Sequence, residues 1–354
     1  MSNWISLFTD FDGDLGVLAS VGGAVFASLS GSSMANTAMM GTILVPEMNK
    51  RGYSKTMTIG PILGAGGLAM IIPPSSLAVL LGGLAQMSVG KLLISGIIPG
   101  LLLTFLYLLY IVGASALKPS LAPSFEVEYV PWSEKIISFV RDVLPLSVLF
   151  VLAIGMIFFG VATPAEAAAL GAVGAIAVAA GYRALNWQVL EKSLIGTIKV
   201  TAMTFMIVAA SAGFSQILAY SGASRVLVKS VLDLPLAPIV LIIMMQLIVM
   251  IMGCFIEQIS IMMITLPMFM PVVNALGYDP VWFGLMMLIN LELAMISPPF
   301  GLMLFVMKGV APEGTSMGDI WKAAVPFIIC DLLALALILI FPQIALWLPN
   351  LMTK

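Results

Sequence analysis

Oxygen-bearing side chains interrupt an apolar stretch near the start of the chain. Within eight positions, five side chains carry oxygen: Ser30, Ser32, Ser33, Asn36 and Thr37. Neutral oxygens can bind sodium together with backbone carbonyls, and the N-terminus of the helix that follows attracts a carboxylate. The alternative is a set of helix caps and small residues that permit close packing. We favour an ion or solute site, because the surrounding pattern recurs later in the chain.

Two double-proline segments lie inside other apolar stretches. The first is Pro73-Pro74-Ser75-Ser76 and the second is Ser297-Pro298-Pro299-Phe300-Gly301. A proline within a helix removes a hydrogen bond and frees a carbonyl, which must find another partner inside a membrane. A pair of kinks without ligands is the alternative, but two matched breaks favour two ion sites.

Acidic residues within apolar stretches are costly and are candidates for function. Glu257 lies at a second polar tip, Ile256-Glu257-Gln258, where it could ligate a cation or carry a proton. Glu292 could serve in the same way or pair with a lysine. Asp142 and Asp331 are expected near the ends of membrane spans, in a solvated role.

The composition requires a lipid bilayer as the solvent. Of 354 residues, 61% are hydrophobic and 9% are charged, with a mean hydropathy of +1.14. Soluble proteins carry about 25% charged residues. Histidine is absent, which removes serine–histidine and cysteine–histidine catalysis, and no Gly-x-Gly-Asp occurs for an aspartyl protease. We therefore expect no enzyme, no cofactor, no metal beyond sodium and no nucleic-acid partner.

The apolar runs predict an all-α membrane protein with several kinds of element. Continuous spans are predicted near 92–113, 142–160, 164–182, 195–220 and 323–345. Two re-entrant hairpins are predicted at 14–49 and 237–275, and two broken helices at 56–87 and 281–309. Residues 1–13 are predicted to be a solvated N-terminus.

The two halves of the chain repeat. A shift of 225 positions gives 12 identities over the 32 positions from 46 to 77, and it superimposes Pro73-Pro74 on Pro298-Pro299. This predicts a first repeat at 14–113, a cytoplasmic linker at 114–136 and a second repeat at 137–354, with scaffold helices at 142–220. The first repeat then lacks a counterpart of those helices.

Charge favours an inverted relation between the repeats. The loop 50–55 holds Lys50, Arg51 and Lys55, whereas its counterpart 275–280 holds Asp279 and no cation. The positive-inside rule then places the N-terminus and loop 50–55 in the cytoplasm. Inverted repeats with discontinuous helices at matched positions indicate a secondary transporter.

Several motifs carry a resemblance to a known family. They are Ser30-Gly31-Ser32-Ser33-Met34-Ala35-Asn36, Val45-Pro46-Glu47-Met48, Ile72-Pro73-Pro74-Ser75, Ala162-Thr163-Pro164-Ala165-Glu166, Ala275-Leu276-Gly277-Tyr278-Asp279-Pro280 and Ser297-Pro298-Pro299-Phe300-Gly301-Leu302. From about residue 14 onward, the chain resembles the large membrane subunit (the M subunit) of tripartite ATP-independent periplasmic transporters.

The resemblance implies an elevator-type sodium symporter for an organic acid such as a C4-dicarboxylate or sialic acid. It implies two partners, a small four-helix membrane subunit and a periplasmic substrate-binding protein. Sodium would be bound by two groups of residues: Ser32, Ser33, Asn36, Pro73, Ser75 and Ser76 in the first, and Glu257, Ser297, Pro298 and Gly301 in the second. The solute would contact Ser33, Asn36, Thr37, Ser76 and Gly301.

The start of the chain departs from that family, whose members have further scaffold helices ahead of the first hairpin. Two alternatives therefore stay open. One is a stand-alone carboxylate transporter that needs no binding protein, and the other is a shortened remnant that does not transport.

Overall fold

The computed structural model describes residues 15–123, 133, 136–137, 140–141 and 144–352, without the side chains of residues 28–30, 146 and 224. The described part is helical and contains no strand. The predicted N-terminal tail, most of the second half of the predicted linker, Asp142 and the side chain of Ser30 lie outside it.

The first repeat begins with two helices joined by a tight turn. Gly31 has a φ of +59°, which favours glycine, and Ser32 caps the second helix by accepting a hydrogen bond from the Ala35 N–H. The helices of this half are α1 (Leu15–Ser30), α2 (Ser33–Lys50), α3 (Lys55–Gly67), α4 (Ser76–Leu84), α5 (Val89–Ser95) and α6 (Ile97–Leu117). A short 3₁₀ turn, Leu68–Met70, follows α3 and leads into the first double-proline break.

The second half contains ten helices in its described part. They are α7 (Leu144–Phe158), α8 (Pro164–Gly181), α9 (Trp187–Tyr220), α10 (Ala223–Leu232), α11 (Pro238–Gly253), α12 (Gln258–Ala275), α13 (Pro280–Ile296), α14 (Leu302–Val310), α15 (Met317–Ile340) and α16 (Gln343–Asn350). The second double-proline break lies between α13 and α14.

Five helical segments in the described part are long and apolar enough to cross a membrane. Four overlap predicted spans: α5 with α6, α8, α9 and α15. The fifth is α12, which the sequence assigned to a hairpin, whereas the predicted span 142–160 contains the shorter helix α7. The chain is thus a multi-pass membrane protein, although helix length alone does not separate hairpin helices from spans.

The predicted C-terminal helix at 323–345 was wrong in its bounds. Helix α15 starts earlier, at Met317, and ends at Ile340, and α16 begins at Gln343. Pro342 explains the break, because proline lacks an N–H and disfavours helical geometry in the residue before it. Phe341 accordingly has φ −120° and ψ 77°.

The helix bounds follow the sequence shift of 225 positions. Helices α2 and α12 are related by that shift at both ends. Ser54 caps α3, and its counterpart Asp279 caps α13. The loops before these caps turn at Gly52 and Gly277, with φ of 77° and 75°. The repeat therefore extends from residue identities to the positions where helices begin.

Helix α3 lies at the centre of the structure and is buried from Met57 to Gly67. It packs closely on α15 because it has no side chain at Gly60 and Gly64. A Cβ atom at Gly60 would lie 2.5 Å from the Phe327 ring and 2.7 Å from the Ala323 carbonyl oxygen. This close approach of two helices resembles the small-residue interfaces of membrane bundles.

We expect Gly60→Ala to lower the free energy of unfolding by about 1–3 kcal/mol, because the added methyl overlaps Phe327 and backbone. Thermal unfolding in detergent measures the effect. Gly113→Ala in α6 is the matched control, since nothing lies within 4 Å of its Cβ position. That variant should melt at the same temperature as the parent or above it, and an equal loss in both variants would contradict the packing explanation.

Candidate ion and solute site

The first helical tip buries three polar side chains. Ser33 is 6% exposed, and Asn36 and Thr37 are fully buried. They lie in the first turns of α2, because Ser32 starts the helix at this point. A glycine at position 66 gives Thr37 its space, since a Cβ there would lie 2.0 Å from the Thr37 Oγ1.

Asn36 connects three helices. Its Nδ2 donates to the Gly23 carbonyl of α1 and to the Ala65 carbonyl of α3, each at 3.1 Å. This fixes the orientation of the amide and turns both of its donors toward the backbone. The Oδ1 atom is left facing the interior.

Three oxygens at this tip are buried without a hydrogen-bond partner among the described residues. They are the Ser33 Oγ, the Asn36 Oδ1 and the Thr37 Oγ1. Buried polar groups in proteins are nearly always satisfied, and an unsatisfied one costs about 1–3 kcal/mol. These three oxygens at the start of one helix are therefore candidates for contacts with an ion or a solute.

The first double-proline break contacts this tip. The Ser76 Oγ donates to the Gly31 carbonyl at 3.2 Å, and a Cβ at Gly31 would lie 3.2 Å from the Pro74 carbonyl oxygen. Ser75 has a different role. Its Oγ donates to the Met70 carbonyl at 2.6 Å and accepts from the Ala78 N–H, so it caps α4. Pro73 is buried in the same break.

The second tip is built differently from the first. Glu257 caps α12, because its Oε2 accepts from the Ile259 N–H at 3.0 Å and from the Ser260 N–H at 3.4 Å. The side chain is exposed. A carboxylate at a helix N-terminus is stabilised by the helix dipole. Helix capping thus explains the position of Glu257. A cation bound there would share the carboxylate with the two N–H groups at the start of α12.

The second break meets the second tip around a cavity of about 360 Å³. Phe255 and Phe300 line this cavity, and their ring centroids lie 5.9 Å apart. Its remaining lining is largely apolar and includes Glu257, Met295 and Leu302. The structure thus brings each tip together with its own break.

Backbone carbonyls converge at Gly301. A Cβ at this position would lie 2.3 Å from the Met295 carbonyl oxygen and 2.9 Å from that of Ser297. The Gly301 N–H donates to the Ser297 carbonyl at 3.1 Å. The Ser297 side chain points back along α13, where its Oγ donates to the Leu293 carbonyl, and Pro298 is half-buried.

Sequence reasoning missed Gln258 as a site residue. This side chain is 6% exposed, and its Nε2 lies 3.4 Å from the Met70 Sδ and also contacts the Met295 Sδ. Met70 and Met295 are equivalent under the repeat shift and precede the two breaks. The sequence feature that could have indicated Gln258 is the repeat, because the shift of 225 positions superimposes Gln258 on Ser33.

Two carboxyls are buried in the interior, and the solvated position expected for Asp331 was wrong. Asp331 is fully buried and not solvated, and Glu292 has no lysine partner among the described residues. Both carboxyls instead contact the hydroxyl of Tyr107.

Comparison with known proteins identifies the family. Residues 3–344 match the family model described as the DctM component of the tripartite ATP-independent periplasmic transporter. The chain is 33% identical over 341 residues to the C4-dicarboxylate TRAP transporter large permease protein DctM of Pseudomonas aeruginosa, covering 96% of this chain and 78% of that protein. It is 28% identical to the sialic acid TRAP transporter large permease protein SiaM of Vibrio cholerae, covering 98% and 80%.

Two solved structures share the fold at 16% sequence identity. The YdaH transporter of Alcanivorax borkumensis gives a TM-score of 0.58 and covers 99% of this chain and 89% of that one. The MtrF protein of Neisseria gonorrhoeae gives 0.61, with 96% and 83% covered. With the family match over nearly its whole length, the chain belongs to the DctM component family of tripartite ATP-independent periplasmic transporters, whose named relatives are transport permeases.

Proposed function

We propose that this chain couples sodium entry to the uptake of an organic acid across the bacterial inner membrane. The observation that carries the proposal is the set of three unpartnered oxygens on Ser33, Asn36 and Thr37. Neutral oxygens of this kind suit a monovalent alkali cation, and the nearby carbonyls of the first break can supply further ligands.

The solute is assigned from relatives and from chemistry. Two relatives are named for C4-dicarboxylates and for sialic acid, both of which carry carboxylates. The N-terminus of α2 presents a positive dipole end beside the proposed cation, which favours an anion. Ser76 of the first break and Gly301 of the second break are the further proposed solute contacts.

The mechanism follows from the cost of desolvation. Sodium at the tips and breaks organises the two hairpins, and the carboxylate then binds with its charge neutralised. A domain that carries either species alone would cross with unpaired charge or unsatisfied oxygens, which is unfavourable in a bilayer. An elevator movement with loop 50–55 in the cytoplasm is part of the proposal, as are the small membrane subunit and the periplasmic binding protein.

Sodium binding to the purified chain tests the proposal without knowledge of the solute. We expect the melting temperature to rise with sodium and to saturate, and not to rise with potassium or choline at equal ionic strength. A ligand at one hundred times its Kd stabilises the folded state by about 2.7 kcal/mol. Thr37→Val and Ser33→Ala should reduce the rise, because each removes one proposed ligand.

Thr104→Val is the matched control, since the Thr104 Oγ1 already bonds to the Gly100 carbonyl and lies on α6. It should keep the full sodium effect. A cooperative melt that is indifferent to sodium, or that responds equally to potassium, would contradict the proposal. Solute uptake in proteoliposomes, measured with and without the binding protein, separates a tripartite system from a stand-alone transporter. An absence of uptake with all components present would indicate a remnant that does not transport.

A further inference from the structure

Three ionisable side chains from three different helices meet in the interior of the structure. Tyr107 comes from α6, Glu292 from α13 and Asp331 from α15, and all three are 0% exposed. The Tyr107 ring is held in place by the Phe327 ring at 5.2 Å. The cluster therefore has a defined geometry inside the bundle.

The hydrogen bonds of this cluster are incomplete. The Tyr107 hydroxyl contacts the Asp331 Oδ1 and lies 3.4 Å from the Glu292 Oε1. The Glu292 Oε2 and the Asp331 Oδ2 are buried and have no partner among the described residues. A tyrosine has one hydroxyl hydrogen, so it can donate to only one of the two carboxyls.

No cation from the described part of the chain compensates the two carboxyls. Among the described residues, no lysine or arginine lies within 4.0 Å of either one, and the two ion pairs of that part join Glu47 to Arg51 and Lys55 to Asp319. The helices packed around the cluster carry their other charged residues, Lys91, Lys308 and Lys322, at exposed positions near helix ends. Cys330 is the remaining titratable neighbour, and its Sγ lies 3.8 Å from the Leu106 carbonyl.

Helix α3 packs directly against one of the two carboxyls. A Cβ at Gly67 would lie 2.1 Å from the Glu292 Oε1 and 2.4 Å from its Cγ, so α3 presses directly on this carboxyl. Two adjacent buried negative charges without a counter-ion are strongly unfavourable. A proton is the cation that removes one charge and needs no coordination space.

We propose that Glu292 and Asp331 form a proton-binding site that holds one shared proton through Tyr107. With the proton on the Glu292 Oε1, Glu292 donates to the Tyr107 oxygen and Tyr107 donates to the Asp331 Oδ1. Both contacts then become hydrogen bonds, and the cluster carries one negative charge instead of two. The site adds a third cation-binding position to the chain.

Infrared spectroscopy of the purified chain at neutral pH tests this proposal. We expect a carbonyl band from a protonated carboxylic acid, with the intensity of one group per chain. Glu292→Gln should remove the band, because the remaining Asp331 is then ionised and accepts from Tyr107. Glu313→Gln, which changes an exposed acid, should leave it unchanged.

Two results would overturn the proposal: no such band in the parent chain, or a band that is undiminished in Glu292→Gln. Should that variant fail to fold, Tyr107→Phe provides a second test. There the band should persist but change its frequency, because the acid proton loses its acceptor. An unchanged frequency in Tyr107→Phe would overturn the role assigned to the tyrosine and with it the shared proton.

Discussion

Replacing Asn36 by leucine is expected to abolish sodium-dependent stabilisation and solute uptake. Leucine has a similar volume but cannot donate to the Gly23 and Ala65 carbonyls, which both accept from the Asn36 amide. Two lost hydrogen bonds lower stability by about 2 kcal/mol. The larger consequence is for binding, because the Oδ1 that faces the proposed cation is removed and the tip loses its connection to α3.

Asn290→Leu is the matched control for this prediction. Asn290 is also a buried amide, and its Nδ2 donates to the Gln246 side chain at 3.1 Å, away from both tips. Its replacement should lower the melting temperature by a comparable amount and leave the sodium-induced rise intact. Equal sodium responses in the two variants would show that Asn36 has a packing role only.

Gly301→Ala is expected to eliminate transport and to destabilise the chain by about 3 kcal/mol, the upper end for an overpacked site. The added methyl would overlap the carbonyls of Met295 and Ser297. These are backbone atoms at a break between two helices, so relief requires α14 to move relative to α13. The carbonyl arrangement of the second site would be lost with that movement.

Uptake in proteoliposomes and thermal unfolding measure the two parts of this effect. Gly309→Ala on the same helix is the control, because nothing lies within 4 Å of its Cβ position. It should transport as the parent does. A Gly301→Ala protein with normal uptake would show that the convergence of carbonyls at this break is not required for function.

The sequence predicted much of the helical framework for clear physical reasons. Gly31, Ser32 and the double prolines interrupt apolar runs through backbone chemistry alone, and the structure ends or starts helices at each of them. The amphipathic helix α10 was not predicted. Its ten residues include Arg225 and Lys229, so it lacks the long apolar run that indicates a membrane span.

The side-chain environments were predicted less well, because they depend on packing between distant segments. Asp331 looked terminal in sequence, yet its burial comes from α6, α3 and α13, which lie far away in the chain. The helix-capping role of Glu257 was not predicted, and its assignment as a sodium ligand stays a prediction. Gln258 carried no motif of its own, and its position between two methionine sulfurs follows only from how the two repeats pack.

The contact between Gly67 and Glu292 also bears on how a duplicated chain diverges. These positions are equivalent under the shift of 225, and yet they touch. Where two copies of one segment meet at the same position, an identical large residue would collide with itself, as at the axis of a symmetric dimer. Glu292 fits beside its equivalent position because that position is a glycine, which leaves room for the carboxyl.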